Sequence, residues 1–274
     1  MLRFSNRETS NDEALSRLRG AAARLIDNSY ASYSAEPVAC AAMLSDGQWI
    51  PGVRIESASF SLVIGAVVNA LSTAVALRRY DVVAIALSRP AKDHERTFLQ
   101  SSFPGPFVEA EKDIFVRSTN RSIPPPTAML SPFLPDAKPA NPRAGVELAR
   151  ETAKHASVGE SQFPVGAILD CGSNGLIPGV NVEHPDWARI ICAERNALGT
   201  AISYGINSFE QMYLACAKDT WATPCGACRQ LLVELCPTMP ICMDRGTESP
   251  ECTTPESLLP SHFSGRSLRR QPGR

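Results

Sequence analysis

The sequence predicts an α/β protein in which one arrangement of helices and strands is written twice. Three observations carry that expectation: the order of elements recurs, the two copies align without gaps when Gly52 is set on Gly179, and a proline-rich stretch divides them. In the first copy, residues 12–28 place Leu15, Leu18, Ala21, Ala22 and Leu25 at helical spacing, with Asn11 or Asp12 as the N-cap. Residues 37–44 then read as a strand, Ser45-Asp46-Gly47 as a turn and residues 49–55 as the returning strand of a hairpin. Residues 57–77 carry no charge and are long enough to cross a bilayer, but Ser57, Ser59, Ser61, Asn69, Ser72 and Thr73 make them too polar for lipid. A buried core helix is expected there, followed by a buried strand over 81–87.

Prolines at 124, 125, 126, 132, 135, 139 and 142 crowd the next part of the chain. Each fixes φ and removes a backbone donor, so residues 122–143 are expected to be an extended linker rather than part of a packed element. The expected domains are residues 1–140 and 141–274. In the second, the order begins again with a helix over 144–155, a strand over 165–169, a turn at 172–174, a strand over 175–182 and a helix over 193–204.

The register between the copies is informative residue by residue. Pro37-Val38 falls on Pro164-Val165, Ile50-Pro51-Gly52 on Ile177-Pro178-Gly179, and Asn69-Ala70-Leu71 on Asn196-Ala197-Leu198. About ten of the twenty-four pairs between 52–75 and 179–202 are identical, which indicates a duplicated domain. The copies part where chemistry would be done. Gly65 stands where Cys192 stands, Val67 where Glu194 stands, and no cysteine lies between Cys40 and Cys171. The first copy is therefore expected to be a non-catalytic scaffold.

The formal charge of −1 and a pI near 6.4 provide no positive field for a phosphate backbone, so nucleic acid is not an expected partner; only residues 266–274 are basic. Eight of the nine cysteines lie between Cys171 and Cys252. The opening Met1-Leu2-Arg3-Phe4 begins a polar segment without an apolar signal core. A reducing compartment, the cytoplasm, is expected, with thiols free or bound to metal and disulfides the lesser reading.

Two short stretches concentrate the chemistry: Cys192-Ala193-Glu194, and Pro224-Cys225-Gly226-Ala227-Cys228-Arg229-Gln230. Three thiolates from Cys192, Cys225 and Cys228 take three corners of a tetrahedron around Zn²⁺ and leave the fourth for water, as in a catalytic site. The competing arrangement is a closed four-cysteine structural site, with Cys171, Cys216 or Cys236 as the fourth ligand. Both ligand pairs are expected at helix starts, where the partial positive charge favours thiolate. Arg195 is placed to offset the net charge of −1 on such a centre through hydrogen bonds to sulfur. Glu194, two residues from a ligand, is the expected proton carrier of a zinc-dependent deaminase, in which it moves protons rather than binding metal.

With these residues laid out, the second copy resembles the cytidine deaminase family along nearly its whole length. Phe163-Pro164-Val165-Gly166-Ala167, Asn181-Val182-Glu183, Ile191-Cys192-Ala193-Glu194-Arg195, the Pro224–Gln230 stretch, and Leu258-Leu259-Pro260 with Phe263 fall in the family's order and approximate spacing. The resemblance implies two tandem three-layer α/β/α cytidine-deaminase-like domains around mixed β-sheets. It also implies one Zn²⁺ per chain, and hydrolytic deamination of cytidine and deoxycytidine in pyrimidine salvage. Asn181 and Glu183 would bind the ribose 3′-hydroxyl, Phe163 would pack on the nucleoside, the backbone of Ala193 with Glu194 would read the cytosine edge, and Phe263 would stack on a base. Cysteine at 192 with arginine at 195 is similar to the homotetrameric branch, so a homodimer whose four domains imitate that tetramer is expected. The competing functions are deamination of another cytosine nucleoside, such as a nucleoside antibiotic, a nucleic-acid editing deaminase, and a non-catalytic binding protein.

Overall fold

The computed structural model of the chain describes residues 5–101, 106–119, 122–135, 138–265 and Leu268. The opening tetrapeptide and, apart from Leu268, the basic tail lie outside the described residues. Helix α1 (Ser5–Arg24) is followed by the hairpin β1 (Ala39–Leu44) and β2 (Trp49–Val53), helix α2 (Ala66–Ala76), strand β3 (Val82–Leu87), helix α3 (Asp93–Ser101) and the hairpin β4 (Phe107–Glu111) and β5 (Ile114–Arg117). The second copy runs α4 (Pro142–Ala153), β6 (Val165–Asp170), β7 (Leu176–Val180), α5 (Ala193–Ser203), β8 (Gln211–Cys216), α6 (Gly226–Leu235), β9 (Ile241–Met243), β10 (Glu251–Thr253) and α7 (Pro255–Leu258).

Each copy forms a five-stranded sheet that is covered on both faces away from the exposed edge strands β4 and β10, and the sequence shows why. Successive strand residues point to opposite faces. On β1, Cys40, Ala42 and Leu44 pack with α2 and α3, whereas Ala41 and Met43 pack with α1. On β6, Ala167 and Leu169 face α5 and α6, and Ile168 faces α4. Where both faces are covered, as at β1, β3, β6, β7 and β8, the strands read as apolar runs rather than as an alternation. The strand orders are β2-β1-β3-β5-β4 and β7-β6-β8-β9-β10. They differ at the end: β5 lies antiparallel to β3, whereas β9 lies parallel to β8.

One close approach recurs in both copies. A methyl group on Gly52 would strike the carbonyl of Ala66 and lie 2.7 Å from the Ala70 Cβ, and one on Gly179 would meet Ala193 and Ala197 in the same way. Glycine at these positions lets α2 and α5 lie directly on β2 and β7. The copies then pack through those helices. The hydroxyls of Thr73 and Thr200, equivalent residues 127 apart, are 2.8 Å from each other, which places the pseudo-twofold axis between them. Asn69 Nδ2 lies within hydrogen-bond distance of Val53 O in its own copy and of Gly199 O and Ser203 Oγ across the same junction. The largest hydrophobic cluster joins Val53, Ile55 and Ile64 to Ile191, Ala197 and Leu198, so the two sheets share one core.

Several expectations are corrected. Helix α1 begins at Ser5, so Asn11 is no cap; its Oδ1 instead accepts from Ile123 N at 3.1 Å. The uncharged stretch 57–77 is helical only from Ala66, with a 3₁₀ turn at Phe60–Leu62 before it. The proline-rich segment is extended but not detached. Thr127 N donates to Gly47 O, Trp49 N to Ala128 O, Leu130 N to Trp49 O and Leu134 N to Leu176 O, at 2.8–3.0 Å. It thereby covers β2, the edge strand of the first sheet, and reaches β7, the edge strand of the second. Cys242 and Cys252, cross-strand partners on β9 and β10, form a disulfide, against the expectation of free or metal-bound thiols. Among the described residues, no helix is long and apolar enough to cross a membrane.

Candidate metal centre and active site

Two helix starts converge to build the site. Cys192 is the N-cap of α5 and Cys225 the N-cap of α6, with Cys228 in the first turn of α6. Pro224 precedes the cap and costs the helix no donor. The Sγ atoms of Cys192 and Cys225 are 3.7 Å apart and those of Cys225 and Cys228 3.5 Å, and all three lie within 4.8 Å of one another. Ligands about 2.3 Å from a tetrahedral zinc stand roughly 3.8 Å apart, so this spacing fits a zinc ion held by three thiolates. Among the described residues no fourth Cys, His, Asp or Glu joins the cluster. Cys171, Cys216 and Cys236 are buried elsewhere as free thiols, and burial pushes Cys171 and Cys236 up to about 12. The closed four-cysteine arrangement is therefore not the one formed.

The thiols share protons unequally. Contacts with the Cys192 and Cys228 sulfurs, then the N–H groups of Cys228 and Ala227, hold Cys225 below the ordinary thiol range, while Cys192 and Cys228 are displaced upward. Glu194, in the first turn of α5, is 4% exposed. Burial pushes its carboxyl up to about 7; the negative Cys225 adds to the rise, and Cys228 and Arg195 oppose it. A carboxyl poised there can both accept and return a proton.

Arg195 is also buried, but its Nη2 donates to Leu62 O of the first copy at 2.8 Å, and no described hydrogen bond joins it to a ligand sulfur. Ala193 is fully buried at the first position of α5. Asn181 is fastened to the entry of β6, its Oδ1 accepting from Val165 N at 2.8 Å and its Nδ2 donating to Phe163 O at 2.9 Å. Glu183 accepts from Glu160 N and Ser161 N at 2.9 Å and from the Ser161 hydroxyl. Its equivalent Glu56 holds Tyr33 N, Ser34 N and the Ser34 hydroxyl in the same pattern. Phe163 is half-buried, whereas Phe263 is 55% exposed, with its carbonyl held by Gln230 Nε2 at 2.8 Å. His184 packs against the Phe98 ring at 5.5 Å, apart from the thiols.

Two further residues, Arg229 and Glu234, hold the site together. Arg229 donates to Pro224 O, Thr223 Oγ1 and Leu258 O, clamping the loop that carries Cys225 against α7. Glu234 accepts from Gln230, from Ser57 Oγ at 2.7 Å, from Ala58 N at 2.9 Å and from Tyr33 Oη, tying α6 to the first copy. Arg229 adjoins Cys228 and is visible as part of the motif; Glu234 has no signal, because its partners in the first copy lie 176 to 201 residues away.

An α/β domain that brings three cysteines and a buried glutamate together at paired helix starts has the donor set of a zinc-binding domain with one ligand position left open. Two sequence profiles, both described as the cytidine and deoxycytidylate deaminase zinc-binding region, match residues 140–243 and 1–88. The cytidine deaminase of Sporosarcina psychrophila is 35% identical over 121 residues, 44% of this chain and 89% of the relative. A probable cytidine deaminase of Dictyostelium discoideum is 36% identical over 126 residues, 45% of this chain and 84% of the relative. The crystal structure of cytidine deaminase from Burkholderia pseudomallei matches with a TM-score of 0.42 and 31% identity, covering 44% of this chain and 98% of that one. The chain belongs to the cytidine and deoxycytidylate deaminase family, in a two-repeat form.

Proposed function

We propose that the chain hydrolytically deaminates cytidine and deoxycytidine to uridine and deoxyuridine with release of ammonia, in pyrimidine salvage, and that residues 141–274 do the chemistry on a scaffold formed by residues 1–140. The observation that carries this reading is the set of three thiols within 4.8 Å beside the buried Glu194. Cys192, Cys225 and Cys228 would hold one zinc ion, which when bound supplies the Lewis acidity that makes water a nucleophile at neutral pH. Glu194 takes a proton from the attacking water, passes it to the ring nitrogen, and delivers the second proton to the departing amine. Water adds its oxygen to the ring carbon, the carbon–nitrogen bond breaks, and carbonyl and ammonia remain. Arg195 sets a positive charge beside Glu194.

Asn181, Glu183, Phe163, the backbone of Ala193, and Phe263 are assigned to the nucleoside by their match to the family's motifs. The hydrogen bonds of Asn181 and Glu183 to residues 160–165 support a role in holding that loop at the ribose. The exposed Phe263 suits a ring that completes the site of another subunit, in a homodimer of four repeats. Phe60 and Trp187, equivalent residues 67% and 75% exposed, support burial against a second copy. Seven free cysteines of nine support a cytoplasmic setting.

The test follows the ultraviolet change on deamination of cytidine and deoxycytidine by purified protein of measured zinc content, beside Glu194→Ala. Turnover near one zinc per chain, lost in a variant that retains metal, is expected. Zinc-loaded wild type without turnover on either nucleoside would refute the assignment, and a solution mass other than twice the chain would refute the dimer.

A further inference from the structure

Strand β10 is three residues long, lies at the edge of its sheet and pairs there with β9 alone. Two of its residues, Glu251 and Cys252, are exposed. So short a strand on an edge holds little by backbone pairing. What fixes it is covalent: Cys252 is bonded to Cys242, its partner in register on β9. In a reducing compartment, where the function proposed above puts this chain, a disulfide is characteristically transient and either catalytic or redox-sensing.

The chain on both sides of this bond holds the loop that carries Cys225. On one side, Glu251 accepts from Arg245 Nε at 2.9 Å, and the same buried guanidinium donates through Nη1 to Thr220 O at 2.8 Å and to Ala222 O at 3.2 Å. On the other, Thr254 caps α7, and Leu258 at the end of that helix accepts from Arg229 Nη1 at 3.1 Å. Arg229 Nε in turn donates to Pro224 O at 2.7 Å. Carbonyls at 220, 222 and 224 are thus held by two arginines, and the anchors of those arginines, Glu251 and Leu258, belong to the segment that the disulfide ties down. The bond is also open to exchange from one side. Cys252 stands on the exposed edge, whereas Cys242 is fully buried with Gln211 Nε2 donating to its sulfur at 2.8 Å, a contact that favours Cys242 as the leaving thiolate.

We propose that Cys242 and Cys252 form a reversible thiol–disulfide site that locks the zinc-ligand loop. Oxidised, it holds Glu251 and Leu258 against Arg245 and Arg229; reduced, it lets segment 251–258 open, and zinc leaves faster. The thiolate of a small monothiol of the glutathione class attacks Cys252 Sγ, the S–S bond breaks, and Cys242 takes the electron pair and a proton. A second monothiol then attacks the mixed disulfide and releases Cys252 as a thiol. Two electrons and two protons have passed to the protein, and one molecule of the monothiol's own disulfide is formed. Oxidation by that disulfide runs the same steps in reverse.

The test equilibrates zinc-loaded, full-length protein in glutathione buffers poised reducing and oxidising. Alkylation of Cys242 and Cys252 is read by peptide mass mapping, and zinc transfer to a chromogenic chelator is read as a rate. Both cysteines are expected to be blocked in the oxidising buffer and alkylated in the reducing one, with zinc leaving on the order of tenfold faster from the reduced protein. Cys252→Ser should lose zinc at the fast rate in both buffers. The proposal is overturned if the pair keeps one state in both buffers, or if wild type releases zinc at one rate in both. It is equally overturned if Cys252→Ser responds to the buffer as wild type does, because the response then belongs to the ligand thiols. The comparison of wild type in two buffers stands even where the variant does not fold. Zinc content and cytidine turnover of the oxidised protein test the deaminase reading by themselves, and the state of the pair is read without either, so the two failures are distinguishable.

Discussion

Gly179→Ala should disable the metal centre without altering Cys192, Cys225, Cys228 or Glu194. The added methyl would lie 2.7 Å from the N and Cβ of Ala197 and closer still to the carbonyl of Ala193, where ordinary contact begins at 3.4 Å. Backbone opposes it on a strand paired along its length with β6, so α5 must withdraw by roughly 1 Å, at an overpacking cost of about 1–3 kcal/mol. That movement carries Cys192 and Glu194 away from Cys225 and Cys228, and a displacement of about 1 Å is enough to cost on the order of 100-fold in rate. Gly52→Ala supplies the control, because the same methyl meets Ala66 and Ala70 at the same distances on a helix that bears no ligand. Urea unfolding, zinc content and cytidine turnover on both variants form the assay. Similar losses of stability are expected, with turnover and zinc lost mainly in Gly179→Ala. If Gly179→Ala binds zinc and turns over as wild type does, or Gly52→Ala is equally impaired in turnover, the argument that β7 sets the position of the ligand helix is wrong.

Three further outcomes are expected. Thr200 Oγ1 donates to Asn196 O, so Thr73 is the donor in the pair on the pseudo-axis; Thr200→Val should cost about 1–3 kcal/mol, and the Thr73→Val/Thr200→Val double variant clearly less than the sum of the singles in urea unfolding. For Glu56, burial alone would raise the carboxyl, but the bonds from Ser34 and Tyr33 and the charge of Arg54 hold it below its ordinary 4.5. A folded pKa below the unfolded one gives stability that is complete above pH 4.5 and lost as pH falls below it, so the deficit of Glu56→Gln at pH 7 should shrink in acid; a constant deficit down to pH 3 would contradict this. Arg229→Ala frees the loop at Thr223 and Pro224 and should weaken zinc about 10- to 100-fold by chelator competition, with the far-ultraviolet spectrum unchanged.

The sequence carried the metal centre because ligand chemistry is local: Cys192 with Glu194, and Cys225 with Cys228, lie within single helix starts. It carried the duplicated core for a different reason, since Gly52 and Gly179 must stay glycine where a helix crosses a strand at close range. What depended on pairing between distant strands was not legible. The Cys242–Cys252 disulfide follows from register across β9 and β10, and spacing alone did not single it out from nine cysteines. Helix α3 and the β4–β5 hairpin fall beyond the stretch where the copies still match, and β5 sits beside β3 in the direction opposite to that of β9 beside β8. The proline-rich segment misled for a physical reason: proline lacks a donor, but Thr127, Leu130 and Leu134 between the prolines donate, and Ala128 accepts.

What the first copy kept and what it lost argue for why it persists. Helix α2 still starts at the equivalent residue and lies on β2 through the same glycine contact. Glu56 still fastens its loop as Glu183 does, and Thr73 still meets Thr200. The rearranged strands, β4 and β5, are those farthest from the junction, at the edge of the sheet opposite β2. Gly65 and Val67 stand where Cys192 and Glu194 stand, while the backbone that receives Arg195 at Leu62 and Glu234 at Ser57 and Ala58 is in place. A domain held only for solubility would have no reason to keep those contacts; one that fixes α5 and α6 of its active neighbour would.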